Sequence, residues 1–236
     1  MFGVYLLPKT ICRKLESLFS SFWWNKTHTR GLSWCSWNNM SWPKDLGGLG
    51  FHKLHFFNLA MLCKQGWRII QNPESLVARV LKARYFPYTD FFHAGKGSYP
   101  SLIWSSILAS RYLLQAGMIW RVGNGSTIQA WNDPWLPIPH EHRIQTQPPP
   151  GIANIKVEEL ILQDPKRWNS DLLHVLFEDR DVNAIMQIPL SIRDIPDHIG
   201  WQFTETGQYS VKSGYKLALQ IQSLPSPPTS SLWRDC

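Results

Sequence analysis

Residues 41–70 read SWPKDLGGLGFHKLHFFNLAMLCKQGWRII, a glycine-punctuated turn that runs directly into a basic, aromatic-rich helix. In Gly47-Gly48-Leu49-Gly50 three of four residues lack a Cβ, which permits positive φ and lets the backbone approach another surface closely. From Phe56 onward, Phe56, Leu59, Ala60, Cys63, Trp67 and Ile70 recur at helical spacing, while Lys64 and Arg68, four apart, share another stripe. The pattern predicts one buried face and one charged face. A surface helix solvated on its outer side satisfies it as well as a binding helix does.

Working outward, Leu7, Ile11, Leu15, Leu18 and Phe22 form an apolar stripe on a first helix opened by Pro8, with Arg13 and Lys14 turned out. On the other side, Asn72-Pro73-Glu74-Ser75 predicts a third helix with an Asn cap and Pro at its first position. That helix carries Arg79, Lys82 and Arg84. A fourth is predicted from near Ser101 to Gly117, with Trp104, Ile107, Leu108 and Leu114 inward and Arg111 beside them. Residues 118–122 and 126–131 then read as a hairpin about Gly123-Asn124-Gly125. The same loop could offer backbone N–H groups to a phosphate, although no G-x-x-x-x-G-K-S/T pattern accompanies it.

Residues 134–150 hold six prolines in 17 positions and should be extended and irregular. The expected organisation is a basic helical lobe at 1–135 closing with the hairpin, a Pro-rich linker at 136–150, a small α+β lobe at 151–222 and a further linker at 223–236. The second lobe is predicted to hold helices at 157–162, 169–177 and 181–188. A hairpin of 199–204 with 208–212 around Glu205-Thr206-Gly207 follows, then a helix at 213–221 capped by Ser213. The fold class expected is mainly α with two short β-hairpins (α+β). With 13 Trp, 17 Pro and only 17% charged residues, the chain suits an irregular, aromatic-rich connector of two lobes.

Charge is unevenly spread. Residues 1–131 hold 15 Lys+Arg and 4 Asp+Glu, a formal +11, whereas 132–236 hold 9 against 13, or −4. Such an excess attracts polyanions and makes binding strongly salt-dependent. The expected nucleic-acid-facing residues are Lys44, Lys53, Lys64, Trp67, Arg68, Arg79, Lys82, Arg84 and Arg111. Interleaved aromatics such as Trp67, Tyr85, Phe86 and Trp104 could stack on bases, at about 1–3 kcal/mol each, but aromatics at helical spacing usually belong to a core, and most of these are expected to be buried. The second lobe, slightly acidic, argues against a major nucleic-acid role there.

No metal centre or cofactor is expected. Cys12, Cys35, Cys63 and Cys236 are scattered, without a C-x-x-C pair. His52, His55 and Cys63 would need the intervening turn to fold back before they shared an ion, and His140 and His142 lie in the Pro-rich stretch, where exposure is the simpler expectation. The runs Glu158-Glu159 and Glu178-Asp179-Arg180-Asp181 are the nearest approach to the clustered carboxylates of two-metal chemistry; the second reads as a solvated helix junction. Few cysteines and no secretory signal favour a reducing compartment, nucleus or cytoplasm, with Arg13, Lys14 and nearby serines leaving a mitochondrial presequence open. No apolar run approaches the roughly 20 residues that span a bilayer.

Several blocks carry a family resemblance. Phe22-Trp23-Trp24, Trp42-Pro43-Lys44 with Gly47-Gly48-Leu49-Gly50-Phe51, and Lys64-Gln65-Gly66-Trp67-Arg68 resemble the region downstream of the polymerase in plant LINE-type (non-LTR) retrotransposon reverse transcriptases. Lys82-Ala83-Arg84-Tyr85-Phe86-Pro87, Trp120-Arg121-Val122-Gly123-Asn124-Gly125, Trp131-Asn132-Asp133-Pro134-Trp135-Leu136 and Gly207-Gln208-Tyr209-Ser210-Val211-Lys212-Ser213-Gly214-Tyr215 are similar to its successive blocks, in the same order. The resemblance implies that the first helix ends a polymerase thumb. It further implies that the chain lies between the polymerase and the zinc-binding and ribonuclease H parts of a ribonuclease H-like polyprotein. The adjacent Asp-Asp pair of the family's polymerase motif is missing here. Met1 is expected to begin partway through a longer ancestral frame, and the sequence stops about where the zinc-binding segment would start.

These readings lead to a non-catalytic connector that holds RNA or DNA template and primer through its basic first lobe, beside the polymerase and ribonuclease H parts of the parent polyprotein. A relic of a decayed element and a protein-docking module are the alternatives. No catalytic residue and no membrane partner are expected.

Overall fold

A computed structural model describes residues 3–24, 34–42, 44, 47–138, 141–152 and 154–221. Expectations for His140, Cys236 and the linker at 223–236 lie outside the described residues. Among those described, the protein is mainly α with two two-stranded antiparallel sheets. The elements are α1 (Lys9–Trp23), α2 (Trp37–Met40), α3 (Leu54–Gln71), α4 (Leu76–Tyr85), α5 (Leu102–Ala109), α6 (Arg111–Gly117), β1 (Met118–Arg121), β2 (Ile161–Gln163), β3 (Lys166–Trp168), α7 (Ser170–Leu176), α8 (Asp179–Met186), β4 (His198–Trp201) and α9 (Val211–Ile221). The chain forms two compact units, Met1–Ala116 with Tyr209–Cys236, and Gly117–Gln208.

In the first unit the glycine turn has the geometry its composition predicts. Gly47 and Gly50 have φ of 82° and 74°, and a Cβ on Gly48 would fall 1.9 Å from the Trp42 carbonyl oxygen. The Leu49 and Phe51 N–H groups both donate to Met40 O, at 3.1 and 3.2 Å, folding the turn onto α2. α3 follows without a side-chain cap of its own; instead Glu16 of α1 accepts the Leu54 N–H at 2.7 Å, satisfying one of the helix's free donors. Leu59, Ala60, Leu62, Cys63, Trp67 and Ile69 are buried and Lys64 and Arg68 are exposed, so the predicted faces are the observed ones. Each large apolar side chain on that face contributes about 1.5–3 kcal/mol relative to exposure.

The final helix completes this unit. Tyr215 and Leu219 of α9 pack with Ala60 of α3, and Tyr209 donates its hydroxyl to Ala60 O at 2.8 Å. Near the N-terminus the buried Asn58 accepts the Leu7 N–H at 2.8 Å and donates to Tyr5 O at 2.9 Å, while Ser106 of α5 accepts the Leu6 N–H at 2.8 Å.

Three helices depart from expectation. α1 forms where the apolar stripe places it, yet Ile11, Leu18 and Phe22 are exposed and Cys12 is the residue it buries; α1 meets its neighbours along a different edge. Asn72 ends α3, and Ser75 caps α4 by accepting the Ala78 N–H at 3.3 Å. The predicted long helix after Ser101 is two, because Ser110 closes α5 and donates its hydroxyl to Ile107 O at 2.8 Å. Ser101 caps α5, its hydroxyl accepting the Trp104 N–H.

In the second unit β1 pairs with β4, Met118 opposite Trp201 and Arg121 opposite His198, rather than with residues 126–131. The segment 157–162 is a 3-10 turn at Val157–Leu160 leading into β2, which forms a hairpin with β3. Asn169 caps α7 and α8 begins at Asp179. Trp201 of β4 donates its N–H to Gly207 O at 2.7 Å, so the turn at 205–207 folds onto the strand without a second strand forming, and α9 starts at Val211, ahead of the expected Ser213. The unit's core gathers Trp131, Trp135, Trp168, Leu173, Phe177 and Ile185.

The Pro-rich stretch expected as a linker lies inside this unit. Trp135 and Leu136 N–H groups donate to His142 O, and Trp131 donates its indole N–H to Thr146 O at 2.9 Å. Asp181, 1% exposed, accepts the N–H groups of Gln145 and Thr146 and the Thr146 hydroxyl. Proline makes the segment irregular; these bonds fasten it to α8. Among the described residues no helix is long and apolar enough to cross a membrane.

Candidate nucleic-acid interface

Division by units sharpens the charge asymmetry of the sequence. The first unit carries 17 Lys+Arg and 5 Asp+Glu, a formal +12; the second carries 7 against 12, or −5. α3 and α4 supply the centre of the excess. Lys64 and Arg68 on α3 and Arg79, Lys82 and Arg84 on α4 are all exposed, and among the described residues none of the five is paired with a carboxylate. Lys82 and Arg84 fall in the last turn of α4, where cations also interact favourably with the helix dipole. Lys44 is exposed as well.

The remaining expected residues stand differently. Arg111 donates to Ala94 O at 2.6 Å and so holds the loop before α5. Lys53 is half-buried; burial lowers its ammonium pKa, an effect that the Glu16 carboxylate partly offsets. Trp67 is 5% exposed, with its ring 6.2 Å from that of Tyr209, so it is a core residue and offers no open face for a base. Phe86 and Trp104 are buried too, as the sequence pattern anticipates, and Tyr85 stacks on Trp104 at 4.8 Å while its hydroxyl accepts the Ser101 N–H.

Two strongly exposed aromatics that follow α4 were not singled out by periodicity. Tyr88 is 97% exposed and Tyr99 86%, and the Arg84 guanidinium, 5.5 Å from the Tyr85 ring centroid, reaches toward Tyr99 O. They sit in the irregular segments that follow α4, where no helical period marks them; only their position after a basic helix could have drawn notice.

His52 packs against the rings of Phe57 and Tyr215, and burial, with Lys9 nearby, lowers the His55 pKa. Burial pushes the Cys63 thiol up to about 12. No group of three His, Cys, Asp or Glu that could hold a metal ion occurs among the described residues. His142, expected to be exposed, is half-buried between Leu136 O and the Gln202 side chain. In the run 178–181 the junction is real but Asp181 is buried.

The Gly123-Asn124-Gly125 loop is the plainest case of a donor set already filled. Gly123 and Gly125 N–H groups donate to Asp197 Oδ1 at 2.7 and 2.8 Å, and the Thr127 N–H and hydroxyl donate to Asp197 Oδ2 at 2.9 and 2.8 Å. Burial alone would raise the Asp197 pKa, but these donors hold it below its ordinary value. An internal carboxylate thus occupies the place that a phosphate would take.

No protein-family model and no solved structure matches the chain. Among curated proteins it is 40% identical, over 134 residues, to "Uncharacterized mitochondrial protein AtMg00310" of Arabidopsis thaliana; the match covers 56% of this chain and 87% of that protein. It is also 26% identical over 245 residues to "Putative ribonuclease H protein At1g65750" of the same plant, covering 97% of this chain but 38% of that longer protein. With an identity of 40% across most of the smaller relative, the chain belongs to the family of the mitochondrial protein AtMg00310.

Proposed function

We propose that this protein is a retroelement-derived nucleic-acid-binding fragment, whose first unit holds an RNA or DNA strand along α3 and α4. Likeness along nearly the whole chain to part of a protein named for ribonuclease H supports a retroelement-related origin. The observation that carries the binding role is the set Lys64, Arg68, Arg79, Lys82 and Arg84, exposed and without carboxylate partners in a unit of formal charge +12. Five such cations neutralise phosphates and release counterions. Tyr88 and Tyr99 supply the open ring faces on which unpaired bases can stack. The chemistry of nucleotide transfer or hydrolysis is assigned to other parts of the parent polyprotein, of the LINE type, with this chain as connector.

The full chain should bind a labelled RNA–DNA primer-template, followed by anisotropy, with an affinity that falls steeply between 50 and 200 mM salt, by about tenfold or more. Replacing Lys64, Arg68, Lys82 and Arg84 together by Glu should abolish that binding and leave the circular dichroism unchanged. Equal affinity in the folded fourfold variant would overturn the proposal.

A further inference from the structure

Within the first unit, a cavity of about 490 Å³ opens between α3, the start of α4 and α5, a size within the range of about 300–1,000 Å³ usual for small-molecule sites. Ile69 and Ile107 line it and are buried, so they form its floor. Leu76, Val77 and Ile103 line it as well, yet are 76%, 63% and 40% exposed. A single apolar side chain at a surface calls for no explanation; three on the walls of one cavity do.

One edge of this apolar space is polar, and a single helix face supplies it. Gln65, Arg68, Ile69 and Asn72 all line the cavity, and their spacing of i, i+3, i+4 and i+7 puts them on one face of α3, along about 10 Å of helix. Arg68, exposed, therefore stands at the mouth, on the same face as the buried Ile69. The Gln65 amide reaches into the space, its Nε2 lying 3.9 Å from where a Cβ on Gly3, another lining residue, would stand. No described carboxylate forms a salt bridge with Arg68, and none is among the described residues that line the cavity. The guanidinium is a planar, permanently charged donor that matches a carboxylate bidentately, and the Gln65 amide adds a neutral donor beside it. No aromatic ring is among the described lining residues, which sets the cavity apart from a surface on which bases stack. An aliphatic floor, aliphatic walls and one uncompensated cation at the mouth complement a molecule with an aliphatic body and an anionic head.

We propose that this cavity binds an aliphatic monocarboxylic acid, its chain on Ile69, Ile107 and the walls of Leu76, Val77 and Ile103, and its carboxylate at Arg68 and Gln65. Arg68 is also one of the cations of α3 and α4 assigned to nucleic acid. Lys82 and Arg84 do not line the cavity, so acid binding needs neither of them and does not rest on that assignment.

Equilibrium dialysis of the full chain against labelled decanoate below its micellar range, with 1-decanol and acetate as controls, tests it. Saturable binding of decanoate at one site per chain is expected. It should weaken about tenfold or more in Arg68→Gln and in Ile103→Glu, which sets a like charge on the wall. Decanol and acetate each lack one half of the ligand and should bind at least about tenfold more weakly. The double variant Lys82→Glu/Arg84→Glu should weaken primer-template binding and keep that of decanoate. Absence of saturable decanoate binding, equal binding in Arg68→Gln or Ile103→Glu protein of unchanged circular dichroism, equal binding of decanol or acetate, or loss of decanoate binding in Lys82→Glu/Arg84→Glu overturns the proposal and leaves that for nucleic acid standing.

Discussion

Asp197 Oδ1 accepts the N–H of Gly123 at 2.7 Å across 74 positions of sequence, and this contact decides how the start of the second unit folds. With Gly125 and Thr127 added, one carboxylate satisfies four donors of a loop that would otherwise need water or an outside anion.

Asp197→Asn should destabilise the second unit by about 2 kcal/mol, because an amide nitrogen would face donors that need an acceptor. The sign with pH follows from a folded pKa below the unfolded one. The stabilisation is present above the unfolded value near 3.8 and is lost as pH falls through the folded value. Urea unfolding at pH 7 and pH 3 should therefore show the variant and wild type converging in acid. A gap that stays constant would contradict the role given to the carboxylate.

Gly214→Ala should cost more than about 2 kcal/mol, since the new Cβ would fall 1.8 Å from the Tyr209 hydroxyl, itself bonded to α3. Tyr209→Phe removes that hydrogen bond and the one its hydroxyl shares with the Cys63 thiol, without a clash, and should cost about 1 kcal/mol. Gly95→Ala is the control: its Cβ would meet nothing nearer than 4.0 Å. Thermal unfolding of the three variants should rank them in that order.

Cys12, Cys35 and Cys63 are buried. Burial, with Glu16 beside it, raises the pKa of Cys12, and that of Cys63 is pushed up to about 12. At pH 8 these thiols should alkylate no faster than the protein opens. Peptide mapping after a short iodoacetamide pulse, native against urea-unfolded, checks this; rapid native labelling of Cys63 would place it at the surface.

Asn58→Leu should release residues 3–8 by leaving the Leu7 N–H and Tyr5 O without their partner. Two orphaned backbone groups imply about 2 kcal/mol. Hydrogen exchange at the Leu7 amide should quicken well beyond that at Ala60.

What could be read in advance was local. The faces of α3, the helix starts near Ser101 and Asn169, and the turn at Gly47–Gly50 depend on residues within a few positions of one another, and so did the burial of Phe86 and Trp104. The misread pieces depend on distant partners. Asn124-Gly125 is a sound turn signal, but which strand joins β1 is set by residues near 200. Trp67 sits on the stripe predicted to be buried, yet counting it as a stacking face required knowing that Tyr209, 142 positions on, lies against its ring. For the interface, composition identified the exposed cations of α3 and α4 and could not foresee that Arg111 is engaged with Ala94 O.

The return of α9 onto α3 has a consequence for synthesis. The surface of α3 around Ala60 is covered by Tyr209, Tyr215 and Leu219, residues that leave the ribosome only after all of 117–208 has been made. The first unit must wait with an apolar face uncovered while the second, contiguous in sequence, can fold as it emerges. A nascent chain halted near residue 135 would present that bare face to chaperones, and the earliest point at which it can be shielded from within is the translation of α9.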